Sequence, residues 1–243
     1  MFRRWLSWLG FCVLIVAISI AYFDRAIADY AHQFGAAQAF LRKGILRLPV
    51  LQAVGVLLLL WGALFSKAGA KVAFTAGLAM TGAMALNNYL LKPVFGRAVP
   101  WLYFSRHAYG FRPFHVSSLL GSFPSGHAVL AGALVSVLWV SYPKGRAAYL
   151  GACAFLASLL VLGEWHFLSD FVAGSFVGVS AGIAAMALTD AALANYRQRP
   201  VLHLLDEGIM GFVKSIQSPW REAVTKDNGQ FPEVSHQNVS QEA

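Results

Sequence analysis

Acidic residues are scarce through most of this chain of 243 residues. Residues 1–189 contain only Asp24, Asp29, Glu164 and Asp170, against 14 lysines and arginines, while the other seven acids follow residue 189. Charged residues of both signs make up only 12% of the chain, where an ordinary soluble domain has about 25%. Cysteine is nearly absent. Cys12 and Cys153 both sit in apolar runs, which excludes a disulfide scaffold. No glycine period exists, so a collagen-like repeat is excluded too. What is present is apolar: 58% hydrophobic residues and a mean hydropathy of +0.58. Disorder is incompatible with that hydrophobicity, and a soluble fold could not hide it. An integral membrane protein is the class that remains.

Runs of about 20 apolar residues are long enough to cross a bilayer as helices. Six segments read this way: 5–23, 48–65, 72–91, 123–142, 147–163 and 171–189. No stretch alternates as barrel strands do. The expected fold is all-α, a six-helix transmembrane bundle over 1–189, followed by a polar and partly disordered tail over 190–243. Within that tail, 201–216 has weak amphipathic character. The first apolar run is longer than the core of a cleavable signal peptide, so it reads as a span. Residues 66–71 and 143–146 are tight basic turns; 24–47 is a moderate loop and 92–122 a long one. The basic residues lie between apolar spans rather than along one soluble face, which argues against a nucleic-acid partner.

Orientation follows the lysines and arginines of short loops. Arg3, Arg4, Lys67, Lys71, Lys144, Arg146, Arg197 and Arg199 lie on one side. Arg25, Arg42, Lys43, Arg47, Lys92, Arg97, Arg106 and Arg112 lie on the other. The totals tie, but the first set is packed into shorter segments. Both termini are therefore expected in the cytoplasm of a bacterial inner membrane, with the long loop in the periplasm.

Three segments carry chemistry. The loop opened by Lys92-Pro93-Val94-Phe95-Gly96-Arg97 adds Arg106, His107, Arg112 and His115 and contains no acid. Four fixed positive charges without a negative one make an anion-binding surface, or a contact for anionic headgroups. Arginine suits bidentate phosphate contact, and lysine supplies a point charge. Next, Ser122-Phe123-Pro124-Ser125-Gly126-His127 is a turn running into a helix, with Ser125 as a candidate N-cap. Free amides at a helix start bind phosphate, and His127 lies in that first turn, placed for acid–base work or as a structural residue. Last, Glu164-Trp165-His166-Phe167-Leu168-Ser169-Asp170 places His166 and Asp170 four apart, on one face of a helical turn. Such a pair either orients an imidazole for catalysis or fastens two helix ends. Topology brings all three segments to one membrane face.

Taken together, Lys92-x3-Gly96-Arg97, Phe123-Pro124-Ser125-Gly126-His127 and His166-x3-Asp170 resemble the type-2 phosphatidic acid phosphatase superfamily, which also contains the vanadate haloperoxidases. The resemblance covers about residues 84–178. It implies that His166 attacks phosphorus, that Asp170 orients it, and that His127 protonates the leaving oxygen. Lys92, Ser125 and Gly126 would hold the phosphoryl oxygens. It implies covalent catalysis with no metal or cofactor, and a membrane lipid phosphate as substrate. Bacterial members of this architecture act on undecaprenyl diphosphate, phosphatidylglycerophosphate, phosphatidic acid or lipid A phosphates.

Two departures stand out. The family's first motif is Lys-x6-Arg-Pro, and Val99 occupies the arginine position although Pro100 is kept. Its third motif is Ser-Arg-x5-His-x3-Asp, and Leu159 and Leu160 occupy the first two positions. Arg97, Arg106 or Arg112 could replace the missing charges, with Arg97 and Arg112 the expected phosphate ligands. Glu164 would repel phosphate unless paired, with one of these arginines or with an amine on the substrate. The activity expected is a lipid phosphatase. Phosphotransfer to another lipid, a degenerate phospholipid-binding member and a small transporter are the other readings.

Overall fold

A computed structural model describes residues 2–34, 47–65, 69–114 and 117–197. Residues up to Asp190 form one compact unit, which contains the site. Helices dominate, and the described residues contain no strand beyond an isolated antiparallel bridge between Arg97 and Phe111. The elements are α1 (Phe2–Ile18), α2 (Asp24–His32), α3 (Leu48–Leu64), α4 (Ala70–Leu86), α5 (Lys92–Phe95), α6 (Pro100–Arg106), α7 (Gly126–Ser141), α8 (Arg146–Leu162) and α9 (Leu168–Arg197). The all-α expectation holds.

Three helical stretches among the described residues have the length and composition to cross a membrane: Arg3–His32, Pro143–Leu162 and Leu168–Asn195. Leu48–Leu64 and Gly126–Ser141 are apolar but shorter. Their exteriors are greasy: Trp8, Leu57, Leu64, Val140, Phe155 and Leu188 are exposed. That is stable only where lipid replaces water around them.

Two loop boundaries need correction. The expected loop 24–47 begins instead with helix α2, which continues α1 through a π-turn at Ser19–Phe23. The expected loop 92–122 begins with α5, which continues α4 through a second π-turn at Asn87–Leu91. In both places the hydrophobic run ends before the helix does. Asp24, buried, and Lys92, half-buried, are the residues on these added turns that enter the polar cluster of the site. The 143–146 turn is a single 3₁₀ turn, Pro143–Gly145. Residues 190–197 continue α9, so the helix outlasts the apolar span. Lys67, Arg42, Lys43, His115, Arg199 and the 201–216 stretch lie outside the described residues.

The core joins α4 and α7 through Ala76, Ala79, Met80, Ala83, Met84, Val129, Leu130, Ala133 and Val137, with Ala185 from α9. Small residues let backbones approach closely where hydrophobic driving force is weak. Gly178 shows this: a Cβ there would lie 2.2 Å from the Val129 carbonyl oxygen. One turn earlier, a Cβ on Gly174 would lie 2.5 Å from the Ser125 carbonyl oxygen. This seam presses the N-terminal ends of α7 and α9 together. At the far end, Lys71 meets Asp190 at 2.7 Å, and the Thr75 and Thr189 hydroxyls meet at 3.2 Å.

Candidate active site

The start of α7 is built as its sequence suggests. Ser125 is the N-cap, with extended backbone, and its hydroxyl accepts from the Ala128 amide at 3.4 Å. The Ser125 amide donates to the Asp170 carbonyl at 3.0 Å, which ties the α7 start to the first turn of α9. Gly126 and His127 follow, both buried. The preceding Phe123-Pro124 peptide is cis.

The turn into α9 delivers His166. Its backbone is held by the Leu160 carbonyl, which accepts from the Trp165 and His166 amides at 3.0 and 3.3 Å. The ring's Nδ1 lies 2.9 Å from the Ser122 carbonyl. A carbonyl only accepts, so Nδ1 carries the proton and Nε2 keeps its lone pair. The rings of His166 and His127 stand 6.2 Å apart, centroid to centroid, at 68°.

Asp170 is wholly buried. Its Oδ2 accepts from the Ser122 hydroxyl at 2.5 Å and the Phe167 amide at 2.8 Å. It stands 3.7 Å from His166 Nδ1, beyond hydrogen-bond range. The expected His–Asp neighbours are adjacent, but the imidazole proton goes to the Ser122 carbonyl instead. The carboxylate acts on the ring by charge and through the Ser122 hydroxyl.

Arg97 is the largest fully buried side chain among the described residues. The expectation that it reaches into the open loop as a phosphate ligand does not match its placement. Nη1 donates to Asp170 Oδ1 and to the Ser169 hydroxyl, both at 2.6 Å. Nη2 donates to Asp24 Oδ2 at 2.7 Å. The Phe167 and Phe111 rings lie 4.4 and 5.0 Å from its central carbon. A guanidinium this buried needs carboxylate partners, and the two carboxylates hold it inside. Gly96 makes the inward turn possible. Its φ is +57°, and a Cβ would lie 1.9 Å from the Arg112 carbonyl oxygen. Arg112 itself is exposed and meets Gly96 through its backbone, its amide donating at 2.9 Å. Arg106 and His107 are also exposed.

Lys92 follows the second π-turn and is half-buried. Burial pushes its ammonium below the usual lysine value, while the Asp170 carboxylate pulls the other way. Val99 and Leu160 carry no charge; Val99 is the extended residue just before α6, and Leu160 is fully buried.

Three residues of this cluster escape a motif-based reading: Asp24, Ser169 and His32. His32 Nδ1 contacts Glu164 Oε1 at 2.6 Å, and its ring stacks on Phe104 at 3.9 Å. Glu164 thereby meets a histidine. The one signal for Asp24 is the scarcity of acids around it.

A family model described as the PAP2 superfamily matches residues 72–193, about half of the chain. Two curated relatives align with a shorter stretch. Lipid A 1-phosphatase of Rhizobium johnstonii is 34% identical over 89 residues, covering 37% of this chain and 36% of the relative. Lipid A 1-phosphatase of Rhizobium etli is 33% identical over 89 residues, covering 37% and 38%. The chain thus spans little more than a third of the length of these relatives. No solved structure matches it.

Proposed function

The chain belongs to the PAP2 superfamily, and from that premise we propose that it is a membrane lipid phosphatase acting through a phosphohistidine. The observation that carries this reading is the pairing of His166 with His127. One ring has its Nδ1–H fixed on the Ser122 carbonyl, which leaves Nε2 nucleophilic, and the other stands 6.2 Å away, centroid to centroid.

In the first step, His166 Nε2 forms a bond to phosphorus as the bond from phosphorus to the lipid oxygen breaks. His127 gives its proton to that oxygen. In the second step, water attacks phosphorus, its proton passes to His127, and the P–N bond breaks. Lys92, the Gly126 amide and the exposed Arg112 hold the phosphoryl oxygens, while the Ser125 amide stays on the Asp170 carbonyl. Arg97 keeps Asp170 in place and does not touch phosphate.

A lipid substrate is supported by the long apolar helices and by a neighbouring groove. That groove, of about 580 Å³, is lined by Trp5, Val13, Phe95, Phe123, Phe176 and Ala184 among others. It has the size of an ordinary ligand pocket and suits acyl chains. Phe123 lies two residues before Ser125, and Phe95 follows Lys92 by three, so a tail in the groove puts its head group near the cations. The two relatives act on lipid A, so a lipid A-type phosphate is the first substrate to test; undecaprenyl diphosphate, phosphatidylglycerophosphate and phosphatidic acid follow. The proposed topology has six crossings, both termini in the cytoplasm, and the site at the periplasmic face of a bacterial inner membrane.

Phosphate release from this lipid panel by the purified full chain in detergent tests the reading. Release is expected from the wild type and none from His166→Ala. Lipid binding with no release from any substrate would favour a phospholipid-binding member instead. The uncharged Val99 and Leu160, with Arg97 turned inward, are the observations that favour that second reading. Transfer of the phosphoryl group to a lipid hydroxyl proceeds through the same intermediate, and labelled acceptor lipid distinguishes it.

A further inference from the structure

Asp24 lies in the first helical stretch, outside the residues that match the family model. Yet it is buried in the same polar cluster as the site. The π-turn Ser19–Phe23 immediately precedes it, and such turns are frequent at functional sites. Four groups donate to its carboxylate. They are Arg97 Nη2 at 2.7 Å, the Ser19 hydroxyl at 2.8 Å, the Ser169 amide at 3.0 Å, and the Ser169 hydroxyl. A carboxylate buried in a membrane body is costly even when so well satisfied, and its retention calls for a task.

Charge supplies one. Arg97 and Asp170 alone form a neutral pair. Asp24 makes the cluster net negative by one. The guanidinium is shared between two carboxylates, Nη2 on Asp24 and Nη1 on Asp170 Oδ1. Asp170 Oδ2 is left facing His166. An imidazole that attacks phosphorus becomes cationic, so a net negative neighbour stabilises the product of that step.

We propose that Asp24 is a positioning residue of the phosphoryl-transfer site, setting the net negative charge that the Arg97–Asp170 pair presents to His166. The proposal rests on the phosphatase reading above. Among the described residues, the other charged or titratable groups facing this cluster are few. Lys92 and His127 face Asp170 and His166. Tyr109 lies against Arg97, with Arg25 over its ring at 5.2 Å. Glu164 is paired with His32. All remain in place in the variants below.

The test titrates the histidine ring nitrogens by ¹⁵N NMR, in the full chain in detergent micelles, with the His166 signals identified by their loss in His166→Ala. Removing one negative charge should lower the His166 midpoint by about one pH unit in Asp24→Asn. Removing the positive charge should raise it in Arg97→Gln. The double variant keeps the lone Asp170 charge and should return the midpoint to within a few tenths of a unit of wild type. A midpoint unmoved in Asp24→Asn overturns the proposal, whatever Arg97→Gln does. If Asp24→Asn does not fold, Asp24→Ser, which keeps a small hydrogen-bonding side chain, carries the test: a lowered midpoint supports the proposal and an unmoved one overturns it. Phosphate release is measured alongside. Wild-type chain that releases none, yet shows the expected shifts, rejects the phosphatase reading and upholds the charge relation. In active protein, Asp24→Asn should lower kcat about tenfold with KM little changed.

Discussion

The Nδ1–H of His166 donates to the backbone carbonyl of Ser122 at 2.9 Å, while the side chain of that same serine bridges to Asp170 at 2.5 Å. One residue thus fixes the imidazole tautomer with its main chain and links it to the carboxylate with its hydroxyl. The two tasks separate under mutation. Ser122→Ala removes the bridge but keeps the carbonyl, so the tautomer survives. Its kcat should fall about tenfold, the loss expected for one supporting hydrogen bond to a charged group. Asp170→Asn removes the charge as well and should cost about a hundredfold or more. Steady-state phosphate release from one lipid substrate measures both. Equal losses in the two variants would place the whole effect in the hydroxyl bridge.

Glu164 offers a test with a sign. Its side chain is buried against His32, and its backbone has φ of +55°. A non-glycine residue at positive φ carries strain of about 1 kcal/mol relative to glycine. The hydrogen bond with His32 contributes about 1.5–3 kcal/mol, the range for a bond to a charged group. Glu164→Ala loses the contact and keeps the strain, whereas Glu164→Gly loses both. Thermal unfolding in detergent should therefore rank wild type above Glu164→Gly, and Glu164→Gly above Glu164→Ala. An alanine variant more stable than the glycine variant would contradict the strained turn.

How much of this could be read in the sequence follows from the range of each interaction. Helix starts and motif spacings are local, so Ser125 as a cap and the i,i+4 placement of His166 and Asp170 are legible. Arg97 looks like a loop cation because its partners are not local: Asp24 and Asp170 each lie 73 positions away. The same holds for His32 and Glu164, 132 positions apart. The one sequence signal for these pairs is rarity. Of the four acids before residue 190, Asp24, Glu164 and Asp170 are buried in or beside the site. In a chain that avoids carboxylates, each one kept has a partner. The ends of the apolar runs also mislead, since α2 and α5 carry polar residues on helices that the runs alone would end.

Gly96 sets the inward direction of Arg97. Any side chain there would place its Cβ 1.9 Å from the Arg112 carbonyl oxygen, in a backbone conformation that favours glycine. The Gly96→Ala variant must move either the 111–113 segment or the α5 end, and both hold the buried cation in place. The expected cost is about 2 kcal/mol or more. Activity should fall together with stability, because Asp170 loses its guanidinium anchor. Unfolding midpoints and phosphate release on the same preparation check this. Ordinary stability with lost activity would point to a direct phosphate contact at this loop instead.

Lys92 should make anion binding fail at lower pH than an ordinary lysine would. Burial lowers its pKa from 10.5, with Asp170 opposing the shift. The charged form holds phosphate, so affinity is full below the lowered value and is lost as pH rises through it. The linkage to folding runs the other way. Between the lowered native value and 10.5, the unfolded chain binds the extra proton, so this group makes stability rise with pH in that window. His166→Ala removes turnover and allows inorganic phosphate binding to be followed from neutral to alkaline pH. In that background, affinity should begin to decline below pH 10.5. Lys92→Arg should extend binding to higher pH, because a guanidinium keeps its proton. Lys92→Met should weaken binding at every pH and abolish the alkaline decline. If the decline persists in Lys92→Met, a different group titrates there, and Lys92 is not the cation that holds the phosphoryl oxygens.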